Sequence, residues 1–163
     1  MLAHILVPLD GSSLARVALD VATRIADSTC EITLITAVQV PEYPTYAASP
    51  LSIPPDYYPT LAMLESDAKQ YLEETAESLR QNGYHISTRV EVGEAAEQII
   101  LAATTLKADL IVMSTHGRTG IKRWLFGSVA SHVLSLSRQP VLIVPSRVVE
   151  GGYAEEIAEL NYG

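Results

Sequence analysis

The sequence predicts an α/β protein: a doubly wound parallel sheet with helices on both faces. Three observations lead there. Short apolar runs rich in branched residues recur along the chain, amphipathic stretches fill the intervals, and glycine, proline and Asn-Gly signals mark the joints. Strands that alternate with helices are joined by crossovers and so lie parallel, and right-handed crossovers set helices on both sides of the sheet.

Each element has its own signal. His4 to Leu9 is apolar and branched, as a buried first strand would be. Asp10-Gly11-Ser12-Ser13 combines a turn with capping chemistry, since Ser12 or Ser13 can accept from the first N–H groups of a helix. Leu14, Val17, Ala18, Val21, Ala22 and Ile25 then recur at helical spacing. Glu31 to Val40 reads as a second strand ending at Pro41. Residues 41–60 interleave prolines with Tyr43, Tyr46, Tyr57 and Tyr58, the pattern of a long irregular loop. A helix is expected from Leu61 to Gln81, with Leu61, Leu64, Ala68, Tyr71, Leu72, Thr75 and Leu79 on one side. Glu73, Glu74 and Glu77 read as its solvated face, and Asn82-Gly83 as its stop.

Ile86 to Val92 alternates as a third strand, and Gly93 leads into a helix over 95–106. Ala108 to Ser114 is nearly all apolar, which suits a central strand buried on both faces. A glycine-containing loop leads to a helix from Ser128 to Ser137, and Pro140 introduces a last strand, Val141 to Val144. Residues 1–145 form one expected domain, and 146–163 an acidic tail in which Ala154 to Leu160 has the spacing of a helical turn or two.

Composition narrows the function classes. With 163 residues, 48% of them hydrophobic, the chain can build a single core without a metal or disulfide staple. Cys30 is the only cysteine, which excludes an internal disulfide and suits a reducing compartment. The N-terminus lacks a basic n-region and reads as a strand, and no apolar run approaches the roughly 20 residues of a membrane span. A soluble, cytoplasmic protein is the expectation. The net charge of −8 argues against nucleic acid or an anionic membrane surface as partner.

The distribution of that charge is more informative. No Asp or Glu occurs from Leu110 to Val149, while Arg118, Lys122, Arg123, Arg138 and Arg147 fall inside. Two readings stay open: buried apolar elements that exclude acids, or a site kept clear for an anion. Ligands of open α/β sheets bind beyond the carboxyl ends of strands, at the point where strand order reverses. Two such ends carry suitable residues, Pro8-Leu9-Asp10-Gly11 and Met113-Ser114-Thr115-His116-Gly117-Arg118-Thr119-Gly120. The second loop closes at Gly127-Ser128-Val129, where a helix begins. Its glycines allow close approach and positive φ, and the helix start supplies N–H groups and a positive dipole end to a phosphate. His116 reads equally as a phosphate donor or a solvent-facing loop residue. Asp10 reads as a ligand-facing carboxylate or as a turn residue.

These motifs together resemble the universal stress protein family. Its nucleotide-binding members carry Gly-x2-Gly-x9-Gly-Ser/Thr after the fourth strand. Here Gly117 is followed by nine residues and then Gly127-Ser128, with Ser114 in the place of the first glycine. The resemblance also covers Ile5-Leu6-Val7-Pro8-Leu9-Asp10-Gly11-Ser12, the strand ending near Val38, and Pro140 to Pro145. It implies five strands in the order 3-2-1-4-5, with Asp10 and Ser114 flanking one crevice. It also implies ATP, AMP or ADP as ligand, with Asp10 facing the ribose or a phosphate-bound Mg²⁺ and Val38 offering backbone bonds to adenine. Ser114, Gly117, Gly127, Ser128 and Val129 would surround the phosphates, and a homodimer would form through Val141 to Val144.

Three function classes follow: a nucleotide-binding regulatory or stress-response protein, a dimeric interaction module of the same fold that binds no nucleotide, and a slow ATP hydrolase. The sequence lacks Gly-x4-Gly-Lys-Ser/Thr, Gly-x-Ser-x-Gly and a Gly-x-Gly-x-x-Gly after the first strand. His4, His85, His132 and Cys30 form no metal-ligand spacing, and no nucleophile with an oriented base is evident. A binding role is therefore ranked above catalysis.

Overall fold

The structure, a computed structural model, describes residues 2–39, 60–115 and 127–145. Their elements are β1 (His4–Pro8), α1 (Ser13–Ile25), β2 (Glu31–Val38), α2 (Leu61–Gln81), β3 (His85–Val92), α3 (Ala95–Thr105), β4 (Leu110–Ser114), α4 (Ser128–Leu136) and β5 (Val141–Val144). All pairings are parallel, and the five strands run in the order β3-β2-β1-β4-β5. The Pro/Tyr loop and the acidic tail lie outside the described residues.

Alternation along the strands divides the core into two layers. Ile5, Val7, Ile32, Leu34 and Val112 join one cluster with α1 and α2, whereas Leu6, Ile35, Ile111 and Met113 join a second with α3 and α4. Successive side chains of a strand point to opposite faces, so a central strand must be apolar at every position to serve both layers. Ile5, Leu6, Val7, Ile111 and Val112 are accordingly fully buried. Ala15, Ala18, Leu19 and Ala22 supply the buried face of α1, and the small size of its three alanines lets that helix lie close against β4. The N–H groups of His4 and Ala3 hold the Asp109 carboxyl below the usual carboxylate range and tie the chain ahead of β1 to the start of β4.

The edge strand departs from the expected pattern. Ile86 to Glu91 are all half-buried rather than alternately buried and exposed, with His85 and Val92 exposed at the ends, because α2 covers one face while α3 packs over β2. Ser87 on β3 completes a polar chain across the sheet: His4 Nε2 lies 2.7 Å from Thr33 Oγ1, which lies 2.8 Å from Ser87 Oγ. Ser87 in turn donates to Glu31 Oε1 at 2.8 Å. The buried Thr33 hydroxyl is thereby satisfied.

Glu73 does more than lie on a solvated face. Its side chain is 43% exposed, yet it accepts from the Thr88 hydroxyl and from Arg80 Nη1 at 3.0 Å, and both contacts hold its carboxyl below the ordinary range. It sits where α2 overhangs β3, an arrangement that helical spacing alone does not reveal.

Cys30 is 2% exposed, and burial pushes its thiol up from the ordinary value. The thiolate is the reactive form, so both access and ionisation oppose attack. Native protein is expected to leave Cys30 unlabelled by a thiol-specific disulfide reagent at neutral pH. Prompt labelling comparable to that in denaturant would contradict this packing.

Candidate functional site

Strand order reverses between β1 and β4, which are neighbours although far apart in sequence. The helices that follow them, α1 and α4, pack in opposite core layers, and a crevice is expected where they part. A cleft of about 250 Å³ occupies that position.

Its lining is of two kinds. Ile35 and Ala37 of β2, Ala95 and Ile99 of α3, Met113 of β4 and Val129 and Ala130 of α4 are apolar. Asp10, Ser114, Thr115 and Ser128 are polar, and Gly127 presents backbone alone. Pro8, Leu9 and Ala15 complete the lining.

The sequence-derived residues Pro8, Leu9, Asp10, Met113, Ser114, Gly127, Ser128 and Val129 thus meet at one place. Val38 is placed differently. It is buried, and its carbonyl accepts the Gly93 N–H at 3.0 Å, while Ile35 and Ala37 line the cleft from β2. Alternation turns its side chain to the face opposite those of residues 35 and 37. His116, Gly117, Arg118 and Gly120 lie outside the described residues. Sequence reasoning missed Ala15, Ile35, Ala37, Ala95, Ile99, Thr115 and Ala130. Strand alternation relates Ile35 to Ala37, and one helical turn relates Ala95 to Ile99.

Asp10 serves in the turn and at the cleft together. Its Oδ1 accepts the Ser12 N–H at 2.9 Å and the Ser12 hydroxyl at 2.6 Å. Ser12 Oγ then accepts the Ala15 N–H at 3.1 Å and caps α1. Gly11, at φ +82°, takes the left-handed conformation that this tight turn requires.

The start of α4 differs from the other helix starts. Helices α1, α2 and α3 each have a side-chain cap, from Ser12, Thr60 and Glu94. Gly127 caps α4 with no side chain, and no acid lies in its first turn. The first intrahelical donor is Ser131, whose N–H reaches the Gly127 carbonyl at 2.9 Å. The N–H groups of Ser128, Val129 and Ala130 therefore have no partner within the helix. Gly127 does not need its positive-φ freedom: it sits at φ −66°, ψ 164°, the extended geometry of an N-cap. What glycine supplies here is the absence of a side chain. Its own N–H donates to the Thr115 carbonyl, and the Thr115 N–H donates to Val144 at 3.1 Å. Those bonds tie the start of α4 to Thr115 and Thr115 to the end of β5.

A family model described as the universal stress protein family matches residues 1–145. The chain is a universal stress protein. A universal stress protein of Methanocaldococcus jannaschii is 35% identical over 81 residues, 50% of each chain, so the match spans about half the length of that relative. The universal stress protein YxiE of Bacillus subtilis is 28% identical over 149 residues, covering 88% of this chain and 99% of its own. Among solved structures, a universal stress protein in complex with cAMP superimposes with a TM-score of 0.62 at 26% identity. That match covers 89% of this chain and 98% of the other.

Within this member of the family, no group of three or more His, Cys, Asp or Glu among the described residues could hold a metal ion by itself. No helix among the described residues is long and apolar enough to cross a membrane.

Proposed function

We propose that this universal stress protein binds an adenine nucleotide in the cleft and acts as a regulatory, stress-related binding protein. The observation that carries the reading is the uncapped start of α4, which borders a cleft lined in large part by apolar side chains. A phosphate accepts from the N–H groups of Ser128, Val129 and Ala130 and gains from the helix dipole. The base fits against the apolar lining, between Ile99 and Met113. Binding of cAMP by a relative of the same fold supports adenine as the base.

The α3 start supports this orientation. Glu94 accepts the Glu97 N–H at 2.9 Å, so a carboxylate already occupies that helix end and Glu97 stands beside it. Two acids there repel a phosphate and direct it to α4. Asp10 is the carboxylate among the polar lining residues. One carboxylate suits Mg²⁺ that is held chiefly by ATP phosphates and water, rather than by an all-protein cage. His116, Gly117, Arg118 and Gly120 are assigned to the same phosphate site on their sequence spacing.

We place the binding domain at residues 1–145 and treat 146–163 as an appended acidic segment. Homodimerisation through β5 belongs to the same reading. That strand is a sheet edge, and its Leu142 is 36% exposed.

The test is calorimetric titration of nucleotide-free protein with AMP, cAMP and ATP, with and without Mg²⁺. Saturable one-site binding of at least one of them is expected. No binding of any would overturn the reading.

A further inference from the structure

The ladder between β1 and β2 ends at the pair Pro8↔Ile35, yet the two strands stay joined beyond it. The Leu9 N–H donates to the Ile35 carbonyl at 2.8 Å. Thr36 Oγ1 donates to the Leu9 carbonyl, also at 2.8 Å. Both backbone groups of the residue preceding Asp10 are therefore held by β2, one of them through a side chain.

The Leu9 carbonyl and the Asp10 N–H belong to one planar peptide. Fixing that carbonyl fixes the plane from which Asp10 projects. Ser12 holds the carboxylate from the downstream side, through its N–H and hydroxyl. Thr36 itself does not line the cleft: Ile35 and Ala37 do, and alternation turns residue 36 to the opposite face.

We infer that Thr36 is a positioning residue for Asp10, setting the direction of its carboxylate into the nucleotide cleft through the Leu9–Asp10 peptide. The inference rests on the nucleotide-binding reading above. Thr36→Val keeps the branched shape that suits a strand and removes only the hydroxyl, whereas Thr36→Ser keeps the hydroxyl and loses a methyl. Removing the donor leaves the carbonyl of the buried Leu9 without that bond and frees the peptide to rotate.

The experiment is titration of wild type, Thr36→Val, Thr36→Ser, Asp10→Ala and the Thr36→Val/Asp10→Ala double variant. The ligand is whichever of AMP, cAMP or Mg²⁺–ATP wild type binds most tightly. Thr36→Val is expected to weaken binding on the order of tenfold, the loss that one hydrogen bond can produce. Thr36→Ser should restore most of it. In the Asp10→Ala background, Thr36→Val should cost nothing further, since two residues that act as one unit are not additive. Wild-type affinity in Thr36→Val, or an undiminished loss in the double variant, would overturn the positioning role and leave the nucleotide site standing. Failure of wild type to bind any of the three would remove the site itself, and the positioning role with it.

Discussion

Gly127→Leu is expected to abolish nucleotide binding while the protein stays folded. Gly127 lines the cleft, immediately ahead of the N–H groups proposed to hold phosphate. A leucine side chain at the cleft wall stands where the phosphate would approach. Losing two charge-assisted hydrogen bonds, at about 1.5–3 kcal/mol each, weakens binding at least about a hundredfold. The backbone tolerates the change, because φ −66° is ordinary for any L-residue. No side-chain cap is lost either, since α4 has none.

Gly127→Ser separates the two roles of that helix start. A serine hydroxyl at the N-cap accepts from the Val129 or Ala130 N–H, closing the helix end from within. Stability should rise by a few tenths of a kcal/mol while nucleotide affinity falls. Calorimetric titration beside thermal unfolding reads both quantities. Unchanged affinity in Gly127→Leu would show that the phosphate does not sit at this helix.

Leu72→Ala should produce the largest loss of stability among single truncations in α2. The buried residues of that helix are Ala68, Leu72 and Ala76, so Leu72 is its one large fully buried side chain. Truncation removes the transfer energy of the lost atoms and leaves a cavity between α2 and the sheet, at a cost of about 2–5 kcal/mol. For a domain of this size the melting temperature should fall by roughly 5–15 °C. Leu72 belongs to the core layer under α1 and α2, whereas Ile35, Ile99, Met113 and Ala130 of the cleft lining belong to the α3/α4 layer. Nucleotide affinity well below the transition should therefore stay close to wild type. A melting point within about 2 °C of wild type would mean that α2 is held by other contacts.

Strongly patterned elements were legible in the sequence. Both bounds of α2 and of β5 match expectation, because Asn82-Gly83 and Pro140 punctuate them directly. Boundaries slipped at strand ends: β2 stops at Val38 rather than Val40, and β4 starts at Leu110 rather than Ala108. Ala108 is buried all the same. Burial, not strand geometry, is what its apolar side chain signalled.

The site divides in the same way. Asp10, Ser114, Gly127 and Ser128 announced themselves because turn, glycine and capping chemistry is local and visible in one dimension. The apolar lining did not, since Ile35, Ala37, Ile99 and Ala130 look like any core residues until β2, α3 and α4 are assembled. The partners of Glu73 were not legible for a related reason, Thr88 being brought to it by how α2 crosses the edge strand.

By itself the sequence determined the alternating elements, the family motifs and the acid-free stretch around the α4 start, all of which depend on neighbours along the chain. Only the tertiary structure decided that α4 is the one helix start left without a side-chain cap among the described helices, that Gly127 serves by lacking a side chain rather than by adopting positive φ, and that Thr36 reaches across to hold the peptide before Asp10. Those features depend on distances between residues far apart in sequence. Packing the two core layers onto one sheet is what sets them.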